Sequence, residues 1–380
     1  MKSIPVFKPL IQKEELEAVQ KSLEVGWLGM GKSVGEFEQA LAEFLDLKDR
    51  FVVVLSTGHA ALHLAILLCD FERDSEIITP SFNNVADFQA ILAAGCKPVF
   101  CDIEESSLCI DPDKIEALIT PKTKAIIMMD YFCNIADHDA IQKIAAKHRL
   151  RLIHDAAHSF GSSYKGKKVG SYSDICMFSF DPVKTITSID GGALVVTSEK
   201  DLSRLREMRL IGMSQSTEVM YDNKRAWSYD VQNIGYRYHL SNPHAAIGLA
   251  QLKKMPLIMK TRRKSCDLYN DLLSDIAEVT TPNTDFHSVT PFLFFIRVPQ
   301  SDRDNLRNYL KDYEIDTGVH WQPGHHFSLF SHERSGSLEV TERIVSEIIS
   351  LPLHSDMDQD DVQFICSKIK AFFSQGSSQT

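Results

Sequence analysis

Residues 150–197 read LRLIHDAAHSFGSSYKGKKVGSYSDICMFSFDPVKTITSIDGGALVVT. Three apolar runs lie in this stretch: Leu150–His154, Asp174–Phe178 and Ala193–Thr197. Each is short and nearly continuous rather than alternating, which is the pattern of a strand buried on both faces. The same kind of run recurs toward the N-terminus at Phe51–Leu55, Glu76–Thr79, Pro98–Cys101 and Ala125–Met129. Helix-like stretches separate them at Ala60–Leu68, Val85–Ala94, Asp113–Ile119 and Asp139–His148. This alternation predicts an α/β fold with a mostly parallel, seven-stranded sheet and helices on both faces. The crossovers are expected to be right-handed.

Residues 1–50 read as a preface. It holds a helix around Lys13–Leu23, a glycine-rich loop and a helix around Val34–Phe44. After about residue 240 the pattern changes. One long helix is expected from Pro243 through Lys260–Lys264, then a strand-like Pro291–Val298 and a helix after Ser301. His320–Phe330 is a loop rich in His, Pro and Gly. Helices around Val340–Ile349 and Asp360–Phe373 close the chain, and Ser374–Thr380 is expected to be disordered. The expected division is a large domain over residues 1–240 and a smaller α+β domain over 241–380.

Composition narrows the function classes. The chain has 380 residues, 44% apolar and 24% charged, ordinary for a globular protein able to bury a large core. Its net charge of −10 argues against nucleic acid as a partner. No apolar run reaches membrane-spanning length, and MKSIPVFKPL lacks a signal h-region, so a cytoplasmic protein is expected. None of the eight cysteines forms a CxxC pair, which points to reduced core thiols and to no metal site.

Three features fall at the C-terminal ends of expected strands, where open α/β sheets bind ligands. In Leu55-Ser56-Thr57-Gly58-His59-Ala60-Ala61 a strand turns into a helix. Gly58 allows close backbone approach, and the first N–H groups of the helix favour an anion such as phosphate. In Leu152-Ile153-His154-Asp155-Ala156-Ala157-His158 an acidic residue ends an apolar strand. Its carboxylate either caps a helix or holds a protonated heterocyclic nitrogen, with Ala156 and Ala157 leaving room for a flat ring. In Met177–Gly192, Lys184 follows a strand and precedes a Gly-Gly turn. A lysine desolvated there has a lowered pKa and can form a Schiff base. An anion-binding helix start, a carboxylate and a cleft lysine together match the needs of pyridoxal phosphate (PLP): phosphate, ring nitrogen and aldehyde.

At these residues the chain resembles the DegT/DnrJ/EryC1/StrS family of PLP-dependent sugar aminotransferases. The resemblance runs from Gly26-Trp27-Leu28-Gly29-Met30-Gly31 through Ser56–His63, Ile78-Thr79-Pro80-Ser81-Phe82 and Asp155-Ala156-Ala157-His158. It continues through Phe178–Gly192, Ala245–Leu252, Gly318–His325 and Leu351-Pro352-Leu353-His354. The resemblance implies an aspartate-aminotransferase-like type I fold and a homodimer with active sites at the subunit interface. It makes Lys184 the Schiff-base lysine and Asp155 the partner of the pyridine nitrogen. His158 takes the position that contacts the ring or its 3-oxygen, Ser179 that of a phosphate-binding serine, and Gly58 and His59 the phosphate-binding turn.

Three positions depart from the family pattern. His59 replaces a small hydroxyl residue. Asn84 stands where many members place an aromatic residue stacking on the cofactor. Arg237 stands where many have an Asn reaching the phosphate from the partner subunit, and an arginine binds phosphate strongly. Trp27, His320 and His325 are candidates for the sugar site.

The reaction so implied transfers an amino group, with L-glutamate as donor, to a keto-sugar carried on a nucleotide diphosphate. The pyridoxamine form of the cofactor lies between the two halves, and the amino-sugar product belongs to cell-surface polysaccharide or related biosynthesis. Two alternatives use the same scaffold: a PLP-dependent sugar dehydratase or deoxygenase, and a non-catalytic PLP-fold regulator. Related dehydratases replace the lysine with His, so Lys184 favours transamination.

Overall fold

The computed structural model describes residues 3–214, 217–225 and 227–376. The preface forms α1 (Lys13–Val25) and α2 (Lys32–Phe44), and the left-handed Gly26 ends α1. The main unit then runs β1 (Phe51–Leu55), α3 (Gly58–Leu67), β2 (Glu76–Pro80), α4 (Val85–Ala93), β3 (Lys97–Cys101), α5 (Pro112–Ile115), β4 (Thr123–Met129), α6 (His138–His148) and β5 (Arg151–Asp155). A two-residue hairpin, β6 (Ser163–Tyr164) and β7 (Lys167–Lys168), precedes β8 (Ile175–Ser179) and β9 (Gly192–Val196), and α7 (Glu199–Met208) and α8 (Thr217–Tyr221) follow. The chain closes with α9 (Asn242–Lys253), α10 (Met255–Leu273), β10 (Phe294–Arg297), α11 (Gln300–Lys311), α12 (Glu339–Glu347), β11 (Ile348–Leu351) and α13 (Gln359–Gly376).

The seven expected runs become one sheet of order β1-β9-β8-β5-β4-β2-β3. Neighbours from β8 to β3 pair in parallel, and β9 runs antiparallel to both β1 and β8. Successive residues of a strand point to opposite faces. Val53, Leu55, Ile127, Ile153 and Leu194 therefore pack on α3, α4 and α7, while Val52, Val54, Phe178 and Val195 pack on α2 and α9. At the β3 side of that second face, Ile78, Ile126, Met128 and Leu152 pack against α6, α10, α13 and the small β10–β11 sheet. All eight cysteines are free thiols, seven of them buried. Among the described residues no helix is long and apolar enough to cross a membrane.

Side-chain caps start the helices after the strands. Thr57 accepts the Ala60 N–H, Asn84 that of Ala86, Asp137 that of Ala140 and Ser198 that of Asp201. Each satisfies a donor that a helix start leaves open. One buried ion pair ties three elements to the sheet. Arg209, after α7, bonds Glu38 of α2 at 2.5 Å, the Val54 carbonyl of β1 at 3.0 Å and the Tyr221 hydroxyl of α8 at 2.8 Å.

The C-terminal half corrects three expectations. The long helix from Pro243 is two helices broken at Lys254, whose ammonium pairs with Glu14 and Glu15 of α1. Pro256, at the start of α10, has no N–H to continue the ladder. Ile348 and Ile349, expected at a helix end, are strand residues paired with Arg297 and Ile296. Of the tail, Ser374–Gly376 extends α13 as helix, and residues 377–380 lie outside the described residues.

Candidate active site

The ends of β1, β5 and β8 bring three sequence features together. The α3 N-terminus is free for a ligand: among the described residues the Gly58 and His59 N–H groups bond nothing in the chain, whereas Ala60 and Ala61 bond Thr57. Gly58 packs directly on Ser179 of β8. A β-carbon at Gly58 would lie 2.8 Å from Ser179 Oγ, so only glycine lets the helix start and the serine face one space. The His59 side chain is exposed.

Asp155 ends β5 and is 3% exposed. One of its oxygens accepts the Ala157 N–H at 2.9 Å, closing a turn that carries the chain to His158. Burial holds its pKa above the ordinary carboxylate value, against the pull of the Ala157 N–H and of Lys184. His158 is buried, lies parallel to Phe292 with centroids 4.5 Å apart, and has an Nδ1 with no partner among the described residues. Burial, with Lys184 and His320 beside it, drives its pKa well below the ordinary value, so the ring is neutral.

Lys184 sits on the excursion between β8 and β9. Hydrogen bonds from Phe180 N to Gly191 O (2.8 Å), Ser188 N to Phe180 O (3.0 Å) and Lys184 N to Asp181 O (3.0 Å) tie that loop down. Its ammonium lies 4.5 Å from the Phe292 ring centroid. Burial lowers its pKa to about 8, and Asp155, Asp181 and Asp87 only partly offset this. Lys184 is thus near the point of deprotonation under neutral conditions.

His320 joins this group: burial and Lys184 lower its pKa to about 4, and its Nδ1 lies 2.9 Å from Ser350 Oγ. His325 stands apart, at the end of β2, with Nδ1 2.7 Å from Ser81 Oγ and Nε2 2.7 Å from Glu342. Asn84 uses its side chain to cap α4. Trp27 and the exposed Arg237 line a separate cavity of about 570 Å³ with Arg225, Trp227, Tyr229 and His239. None of Lys184, Asp155, His158 or Ser179 lines it.

Two residues in the lysine group escaped the sequence reading. Phe292 sits in an apolar run that reads as plain core. Asp87, wholly buried on the first turn of α4, meets the Asp155 carboxyl. The only sequence signal for it is an acidic residue on an otherwise apolar helix.

The residues present fit PLP. Two unused helix N–H groups beside Ser179 suit a phosphate. A buried carboxylate suits a protonated ring nitrogen, and a desolvated amine suits an aldehyde. Buried His158 Nδ1 and Thr185 Oγ1 have no partner among the described residues, as polar groups awaiting a ligand do.

Comparison with known proteins agrees. The profile of the DegT/DnrJ/EryC1/StrS aminotransferase family matches residues 9–370. The spore coat polysaccharide biosynthesis protein SpsC of Bacillus subtilis (strain 168) is 32% identical over 378 residues, which span 97% of this chain and 96% of that protein. The structure of Helicobacter pylori PseC, an aminotransferase involved in the biosynthesis of pseudoaminic acid, matches with a TM-score of 0.90 at 29% identity, covering 98% of this chain and 100% of PseC. The aminotransferase TlmJ from Streptoalloteichus hindustanus matches with a TM-score of 0.90 at 28% identity, over 98% of this chain and 100% of TlmJ.

Proposed function

Because this chain belongs to the DegT/DnrJ/EryC1/StrS aminotransferase family and is a PLP-dependent sugar aminotransferase, we propose that it transfers the amino group of L-glutamate to a keto-sugar linked to a nucleotide diphosphate. The observation that carries this reading is the convergence of Lys184, Asp155 and the open α3 N-terminus at one edge of the sheet, where β1, β8 and β5 end within four neighbouring strands. When bound, the cofactor supplies an aldehyde that exchanges amines and a ring that takes up electrons from the donor's α-carbon.

Lys184 holds the cofactor through Nζ. Once displaced, Lys184 Nζ takes a proton from the donor's α-carbon in one half of the reaction and returns one to the sugar carbon in the other. Its lowered pKa suits both tasks, since a group near neutrality both accepts and gives protons. Asp155 keeps the ring nitrogen protonated, and neutral His158 faces the ring or its 3-oxygen. Gly58 and His59 bind phosphate through their N–H groups, beside the Ser179 hydroxyl. Asn84 spends its side-chain oxygen on capping α4.

The working form in this proposal is a homodimer with shared sites. Exposed Trp227 (88%) and Ile234 (82%), with Tyr229 and Val231 on the same segment, support it. So does Arg237, which is exposed, lines a cavity that its own Lys184 does not, and in this reading reaches the phosphate held by the other copy. His320, beside Lys184, faces the sugar nucleotide in this reading, whereas Trp27 lines the cavity next to Arg237 and His325 stands apart near Ser81. The names of SpsC and PseC support a product used in cell-surface polysaccharide or related amino-sugar biosynthesis.

The test is the visible absorption spectrum of the purified protein with PLP, with and without L-glutamate, for wild type and Lys184→Ala. Collapse of the long-wavelength band with glutamate in wild type, but not in the variant, supports the reading. A wild-type band that glutamate leaves unchanged overturns the donor assignment. Amine transfer to a panel of keto-sugar nucleotides then tests the acceptor.

A further inference from the structure

Behind Asp155 lies a second carboxylate that the proposed function leaves unused. Asp87 is wholly buried on α4. Asn83 Nδ2 donates to its Oδ2 at 2.5 Å, while its Oδ1 has no donor among the described residues. The Asp87 and Asp155 carboxyls are in hydrogen-bonding contact, and Asp155 Oδ1 also accepts the Ala157 N–H. The other titratable groups facing the pair are Lys184, from the loop after β8, and His154, next to Asp155 on β5.

Two carboxylates touching in a buried site cannot both be ionised, so one proton must lie between them. Its position follows from the neighbours. Lys184 acts on both carboxyls, and Asp155 alone also has a backbone N–H to stabilise a negative charge. Asp87 has a neutral amide on one oxygen and nothing on the other. A protonated Asp87 also supplies the O–H that its bare Oδ1 lacks. We propose that Asp87 is a positioning residue that remains protonated and donates its O–H to Asp155, fixing the orientation of the ring-facing carboxylate and leaving the pair one negative charge. A single charge matches a single protonated ring nitrogen, whereas two would leave one unpaired in a buried site. The role given to Asp87 rests on the cofactor role proposed for Asp155.

Infrared difference spectroscopy of the full-length protein without added cofactor tests the proton directly. The wild-type minus Asp87→Asn difference at neutral pH should contain the carbonyl stretch of a protonated carboxylic acid. PLP titrations then test the positioning. Asp87→Asn keeps a donor and should bind PLP within about threefold of wild type, whereas Asp87→Leu removes it and should bind at least about tenfold more weakly. Asp87→Asn should also keep the wild-type pH titration of the bound cofactor's visible band, and Asp87→Leu should shift it. If no acid carbonyl is lost in Asp87→Asn, or if Asn and Leu bind PLP equally, the proposal is overturned. The Asn variant alone carries the infrared arm if the Leu variant does not fold. The two readings fail separately. PLP binding without the acid carbonyl sinks the shared proton and keeps the function. An acid carbonyl in a protein that binds no PLP keeps the proton and sinks the function.

Discussion

Lys184 costs stability to keep. Its folded-state pKa of about 8 lies below the ordinary lysine value, so between the two the unfolded chain binds more protons than the folded one. Stability contributed at this position therefore rises with pH across that window, is lost as pH falls through it, and is constant below it. Lys184→Met removes the buried charge and should raise stability at pH 7 by roughly 1–3 kcal/mol while abolishing transamination. Urea unfolding at pH 7 and at pH 10 checks both the gain and its disappearance at high pH. The same lowered pKa predicts that an amine-directed reagent labels Lys184 ahead of the exposed lysines near pH 8 in cofactor-free protein, as peptide mass spectrometry would show. Lys184 and Asp155 stood out in the sequence because charges at apolar strand ends need a reason. Asp87 did not, because a lone acid on a helix start is ordinary and only its contact across to β5 gives it meaning.

Among the elements, α3 and β8 meet so closely that one methyl group separates a working helix start from a blocked one. Gly58→Ala places a β-carbon 2.9 Å from Ser179 Cβ, so helix or strand must shift. The expected result is at least about a tenfold loss of PLP affinity, measured by fluorescence titration, with a change in urea midpoint too small to explain it. The buried Glu38–Arg209 pair makes a different prediction. Arg209→Met strands Glu38 and should cost about 3–5 kcal/mol, while Arg209→Met with Glu38→Gln should recover part of it. The seven sheet strands were legible because each is a short run apolar on both sides, a pattern that few other elements share. The break at Lys254 and the strand at Ile348–Leu351 were not. The first depends on glutamates of α1, the second on a β10 partner some fifty residues earlier, and local periodicity records neither.

Over the whole molecule, the apolar residues exposed between Ile189 and Ile234 are too many to be indifferent to water. Sedimentation of wild type should give a dimer mass. Ile234→Asp, which buries a charge in the proposed contact, should shift the protein toward monomer and lower its activity in proportion. The family resemblance was readable because matches run in order along nearly all of the chain. The substrate was not, because the groups around Lys184 come from segments as far apart as Asp87 and His320.

The pairing of residues 4–6 with residues 314–353 sets a late step in folding. Ile4 exchanges backbone hydrogen bonds with Glu314 and Asp316, and Leu353 N–H reaches back to Val6. In the sheet, β9 must slot between β1 and β8 before the lysine loop has its anchors. Residues 4–6 therefore wait for residues 314–353, and pairings of such long range make for slow folding. A chain halted short of residue 353 lacks the clasp that Leu353 closes over Val6.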